Sequence, residues 1–207
     1  MIDHILVDLV THARDAMEGA LLQRQAVEER FQVDVFLGDV SWETSYSLPG
    51  EETPPRVRAD ISIDWPTWSQ SAYRSWSIGE PPEDPLEAVV EVAMRVQRLA
   101  EVPPTDTLLA CLPEESALIG ADTLVRTALV VEQVVAGAGP HPSVAVEATY
   151  QGTVALEEPA LEDPSKLAEP MGALARWVAS VLVRLGDLEL RYVPPDPTGE
   201  GQGGLLA

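Results

Sequence analysis

The sequence predicts an α+β fold: an antiparallel sheet with three main helices, over about 2–21, 84–100 and 165–185, packed largely on one face. Three observations predict it. The N-terminal twenty residues carry an apolar stripe at helical spacing, residues 57–65 alternate strictly, and two apolar runs follow an Asp-Pro step.

In the first helix Ile2, Ile5, Leu6, Leu9, Val10, Ala13, Ala16, Met17 and Ala20 share one face, opposite Asp3, His4, Asp8, Thr11, Arg14, Asp15 and Glu18. It either frays after residue 21 or continues through the polar stretch up to Arg30. The period then changes to two. Val33, Val35 and Leu37 alternate, and after Gly38-Asp39 the apolar parity flips to Val40, Trp42 and Tyr46. A strand that flips parity turns its apolar side to water, so a bulge or a tight turn belongs at Gly38-Asp39. Beyond the turn formers of SLPGEETPPR comes the clearest strand: Val57, Ala59, Ile61, Ile63 and Trp65 against Arg58, Asp60, Ser62 and Asp64. Pro66 stops it. A weaker strand is expected over 72–78.

The second helix is placed at 84–100, with Asp84 as N-cap, Pro85 at the first position and Glu87 completing a capping box. Apolar residues would cover more than half of its circumference, so it would be covered on two sides, within the domain or by another chain. TDTLLACL reads as a short strand and PEESALIG as a turn of helix. Residues 123–135 fit either type, and their Val and Thr content tilts them to strand. Strands follow at 143–148 and 153–157. The third helix starts at Asp163-Pro164, with Pro170 as a possible later start, and ends at Gly186. LELRYV gives a last strand. One domain is expected over 1–193, with a weak repetition between 1–101 and 102–193, then a flexible Pro/Gly-rich tail over 194–207.

The chain has 207 residues, and 34 Asp and Glu against 13 Lys and Arg leave a net charge of −21. The 45% of hydrophobic residues is too high for a disordered body. The charge disfavours nucleic acid and anionic membranes, both of which recruit cationic side chains. Asp3, His4 and Asp8 interrupt any export signal, and no window is apolar enough for a bilayer span. A single cysteine, Cys111, forms no intramolecular disulfide. A cytoplasmic location is the expectation.

Chemistry-bearing motifs are few. Phosphate loops, zincin helices, nucleophile elbows and paired C-x-x-C steps do not occur in the sequence, and no cofactor is expected. His4, Asp8 and His12, four apart on the first helix, have a spacing that can hold zinc, although the same positions form its solvated face. Asp60 and Asp64 share the polar face of the clearest strand and, with Glu43, make a candidate carboxylate cluster for a cation or for proton transfer. Eight of the eleven aromatic residues fall between Phe31 and Trp76. Trp42 and Trp65 lie on apolar strand faces. WPTWSQSAYRSW instead mixes rings with small polar residues, so Trp68, Tyr73, Arg74 and Trp76 form the expected interaction surface.

The order helix, three strands, helix, strands, helix, together with the acidity, is similar to that of the small acidic chaperones of type III secretion. The resemblance covers element order and charge. The function expected is a non-enzymatic acidic interaction module, an adaptor or chaperone-like subunit, acting through a protein partner or self-association. The alternative is a small-ligand or divalent-metal enzyme using the carboxylates of the central strands.

Overall fold

Strict alternation in the sequence builds the centre of the molecule. In a computed structural model, which describes residues 3–22, 27–36, 39–48, 55–134 and 142–194, six antiparallel strands form one sheet in the order β1-β2-β3-β4-β6-β5. They are β1 (Val27–Phe36), β2 (Asp39–Ser47), β3 (Val57–Trp65), β4 (Glu87–Leu99), β5 (Val125–Val134) and β6 (Ser143–Ala155). The helices are α1 (Asp3–Leu22), α2 (Thr67–Ser77), α3 (Thr105–Cys111), α4 (Glu158–Glu162) and α5 (Ala168–Gly186). The antiparallel α+β class thus stands as expected, and no helix of the described residues is long and apolar enough to cross a membrane.

Every second side chain of β3 is buried, from Val57 to Trp65, and its neighbours supply Trp42, Tyr46, Val90, Val92, Met94, Ala148 and Tyr150 to the same face. Fully burying one such aliphatic side chain is worth about 1.5–3 kcal/mol. This face meets α5, whose Met171, Leu174, Val178, Val181 and Leu185 recur at helical spacing. Helix α1 lies along α5 and adds Ala13 and Met17 to the core. The opposite face carries Arg58, Asp60, Ser62, Asp64, Glu91, Arg95 and Glu147, all partly exposed.

The helix expected over 84–100 is β4, the central strand, paired with β3 and β6. Ala88, Val90, Val92, Met94 and Val96 point into the core, while Val89, Glu91, Ala93 and Arg95 point out. Val89 and Ala93 fill polar positions with apolar residues and so disguise a period of two. Four valines in eight residues favour the extended chain. The expected capping box does not form, and the two-sided covering once inferred for a helix comes from strand neighbours. Near the strand's end the register shifts between Val96 and Leu99, and Arg98 takes a left-handed φ of 63°. One extra residue there returns Leu99 to the core.

Other expectations also change. The strand placed at 72–78 belongs to α2, whose buried residues are Ser69, Gln70 and Ala72 rather than large apolar ones. TDTLLACL holds the helix α3, with Leu108, Cys111 and Leu112 buried at helical spacing. PEESALIG is not helical: its backbone pairs with the start of β5 through Glu115 and Val125. Residues 143–155 are one strand, and LELRYV contributes a single bridge from Tyr192 to Leu99.

Residues 125–134 are a strand, as the valine content suggests. Of the two options after residue 21, β1 begins at Val27. Phe36 pairs with Asp39, so the chain reverses there, although residues 37–38 themselves lie outside the described ones. The third helix starts as expected at Asp163, whose carboxylate accepts the amide of Ser165 at 3.1 Å. A short 3₁₀ turn, Pro164–Leu167, leads into α5, where Pro170 lies in the first turn. Bonds from the Ser165 hydroxyl and amide hold the Asp163 carboxyl below its ordinary pKa. The tail beyond residue 194 lies outside the described residues.

Candidate functional site

The expected interaction surface, Trp68 to Trp76, is a helix laid against the end of the sheet. Tyr73 stacks on Trp76 with ring centroids 5.7 Å apart, and Trp65 lies 5.8 Å from Tyr73. Tyr73 and Trp76 are half-buried against the core, whereas Trp68 is 38% exposed and Arg74 is exposed. The rings therefore serve mainly to seat α2, and Trp68 is the one large ring left facing water on that helix.

The carboxylates of the central strands are spread along ladders. Glu43 pairs with Ser62, Asp60 with Ser45 and Asp64 with Ser41. Glu43 and Asp60 border a shallow depression of about 240 Å³ together with Arg58, Ser62 and Glu91, and Asp64 is not part of its lining. Asp60 is held by the Arg58 guanidinium at 2.8 Å and by the Ser45 hydroxyl, and Asp64 accepts from Ser62 at 3.1 Å. Those bonds use up acceptor capacity that a cation would need. On α1, positions 4, 8 and 12 fall on successive turns, and the His4 side chain lies outside the described ones. Among the described residues no three His, Cys, Asp or Glu side chains stand together as a metal-binding group. His12 and Asp15 border a larger groove, about 580 Å³, between α1 and α5. Ala16, Gly19 and Gly172 line it, and the Arg176 guanidinium lies 3.0 Å from the position that a Cβ on Gly172 would take.

The sheet has two edges with different chemistry. The ten-residue sequence of β1 contains Glu28, Glu29, Arg30 and Asp34. Charges on an edge strand deter further strand addition. β5 is different. Its first residues are covered, because Arg126 N–H donates to the Glu114 carbonyl at 2.8 Å and Ser116 N–H to that of Leu124 at 2.8 Å. Arg126 is also turned inward, its guanidinium donating to the carbonyls of Leu112 and Pro113. A bulge at Arg126–Ala128 follows, and from Thr127 to Val134 no described segment pairs with the outer side of the strand. Val130 is 45% and Val131 50% exposed, on opposite faces, with Leu129 half-buried beside them.

Glu132 is the one charged residue of 127–134, and its carboxylate is paired with Arg95 at 2.9 Å. Arg95 reaches Glu147 as well, at 3.0 Å. Burial alone would lower the Arg95 pKa, but the two carboxylates outweigh it and raise the value. This stretch of edge thus carries exposed apolar residues on both faces, and its one charge is paired within the chain. The chain matches no known family model, no curated protein and no solved structure. The Val and Thr content of 123–135 points to a strand but not to its place in the sheet, because composition carries no strand order. The signal that could have found it is the composition of 127–134, eight residues with one charge in a strongly acidic chain.

Proposed function

We propose that the protein is a non-enzymatic interaction module, an adaptor or chaperone-like subunit, that binds a protein partner by strand addition at the β5 edge. The observation that carries this reading is the stretch 127–134, which no described segment covers, whose one charge, Glu132, is paired with Arg95, and in which Val130 and Val131 are half-exposed. An edge strand offers main-chain donors and acceptors, which supply affinity to an added strand, and alternate side chains supply selectivity. Natural sheets usually cover or charge such an edge, as β1 does here.

The test is a photoreactive phenylalanine analogue placed singly at Val130, Val131 or Ser62 in the cells that express the protein. Adducts with protein are expected from positions 130 and 131 and not from 62, which lies on the open sheet face. An absence of adducts from 130 and 131, or equal yield from all three, would overturn the reading.

A further inference from the structure

We infer that the strand added at β5 is β5 of a second copy, antiparallel about a two-fold axis at Val130; this inference rests on the interaction reading above. Continuing the sheet across a two-fold puts inner-face residues of one copy beside inner-face residues of the other. That parity restricts the register, because Leu129 and Val131 face inward with Ala148 and Val146, while Ala128 and Val130 face outward with Thr149 and Glu147. Only registers in which the two-fold passes through a residue satisfy it.

The registers that pair most of the open stretch are those centred near its middle, on Leu129, Val130 or Val131. Centring on Leu129 sets Glu132 against Arg126, which already lies beneath the 114–116 segment. Centring on Val131 sets Leu129 against Gln133 and Glu132 against Val130. Centring on Val130 pairs Val130 with itself, Leu129 twice with Val131, and Glu132 with the small Ala128. It alone sets both inward aliphatic residues, Leu129 and Val131, against aliphatic residues of the other copy, and it brings no like charges opposite each other.

The charge distribution favours this occupant over approach at another face. Each copy carries −21, and at physiological salt exposed charges interact over about 8 Å. Two copies approaching by the outer sheet face set Asp60, Asp64, Glu91 and Glu147 of one against those of the other. The β5 edge carries one acid, neutralised within its own chain by Arg95. The pairing yields a continuous twelve-stranded sheet and covers the half-exposed valines.

Sedimentation equilibrium of the full chain tests the inference, together with two variants. The wild type is expected to show a concentration-dependent doubling of mass. Val131→Lys should weaken association by about tenfold or more, through two lysines on the joined inner face. It should leave the melting temperature of the monomer nearly unchanged, since residue 131 is half-exposed. Val130→Cys should give a disulfide-linked dimer on mild oxidation, because a directly opposed pair sits about 5 Å apart at the Cα atoms, within disulfide reach. Ala128→Cys should not, its two copies being about 14 Å apart along the strands. Cys111 is buried and does not compete.

A wild type that stays monomeric at every concentration overturns the second copy as occupant. Photoadducts at 130 and 131 with proteins of other mass would then leave the strand-addition reading intact. A dimer indifferent to Val131→Lys and not cross-linked through Val130→Cys also overturns the inference, since another surface would carry it.

Discussion

The hydroxyl of Ser69 accepts the indole N–H of Trp65 at 3.1 Å and, on its other side, the backbone N–H of Glu87 at 3.0 Å. Ser69 is fully buried, so one oxygen ties the end of β3, helix α2 and the first residue of β4 together. Gln70 adds a bond from its side-chain amide to the Trp65 carbonyl at 2.8 Å. Ser69→Ala leaves the buried Trp65 indole N–H and the part-buried Glu87 N–H unpaired, the first costing about 1–3 kcal/mol and the second less, so a loss of about 2–4 kcal/mol is expected. Ser71→Ala, on the exposed side of the same helix, should cost less than about 0.5 kcal/mol. Urea unfolding of both variants checks the contrast.

Gly152 sits where another part of the backbone presses on β6. A Cβ there would stand 2.8 Å from the Thr123 carbonyl oxygen and 2.9 Å from Leu124 Cδ2. The segment is pinned in place, since Leu124 N–H donates to Ser116 Oγ at 2.8 Å and Asp122 accepts from Ala155 N–H at 3.1 Å. Gly152→Ala must therefore move backbone, and a cost of about 1–3 kcal/mol is expected from overpacking. Gly19→Ala, with nothing near its Cβ position, should instead gain up to about 1 kcal/mol of helix propensity. Opposite shifts in thermal midpoint would confirm the pair.

These two sites show what the sequence made legible and what it hid. The alternation of 57–65, the N-terminal amphipathic stripe and the Asp163-Pro164 start were readable because each pattern has one physical cause. In β4 two causes overlap: a central strand needs inward residues apolar, and Val89 and Ala93 happen to be apolar on the outer face as well. Helix α2 was hidden for the converse reason. It buries Ser69 and Gln70, whose polar atoms bond to Trp65 just before the helix and to Glu87 beyond it, and no hydrophobic pattern records such bonds. Of the candidate sites, Glu43 and Asp60 do meet in one depression, but the bond from Ser45 to Asp60 depends on strand register, which periodicity alone does not fix.

The aromatic segment divides into two roles. Trp76 stacks on Tyr73 and packs against the core, while Trp68 is more exposed. Trp76→Ala should cost about 2–3 kcal/mol, below the value for a fully buried ring. Trp68→Ala should cost about 1 kcal/mol or less. Equal costs in denaturant unfolding would mean that α2 is seated by its whole circumference. If Trp68→Ala also leaves sedimentation unchanged, α2 lies outside the association surface, as an edge-to-edge contact at β5 requires.

Tyr150 links stability to alkaline pH. Its hydroxyl donates to the Pro113 carbonyl at 2.8 Å, and its ring meets Trp177 edge-on with centroids 5.0 Å apart. Burial raises its pKa, and the nearby charges of Arg126 and Arg184 only partly offset this. In the unfolded chain a tyrosine ionises near pH 10. A folded-state pKa above the unfolded value means that this residue's contribution is fully present below about pH 10 and lost as pH rises toward the folded value. Tyr150→Phe should cost about 1 kcal/mol at neutral pH through the lost hydrogen bond. The gap between wild type and variant should then narrow above about pH 10, because only the wild type still carries this ionisation. Urea midpoints of the two proteins across that interval measure it, and a gap constant with pH would show that the phenol is no more buried than in the unfolded chain.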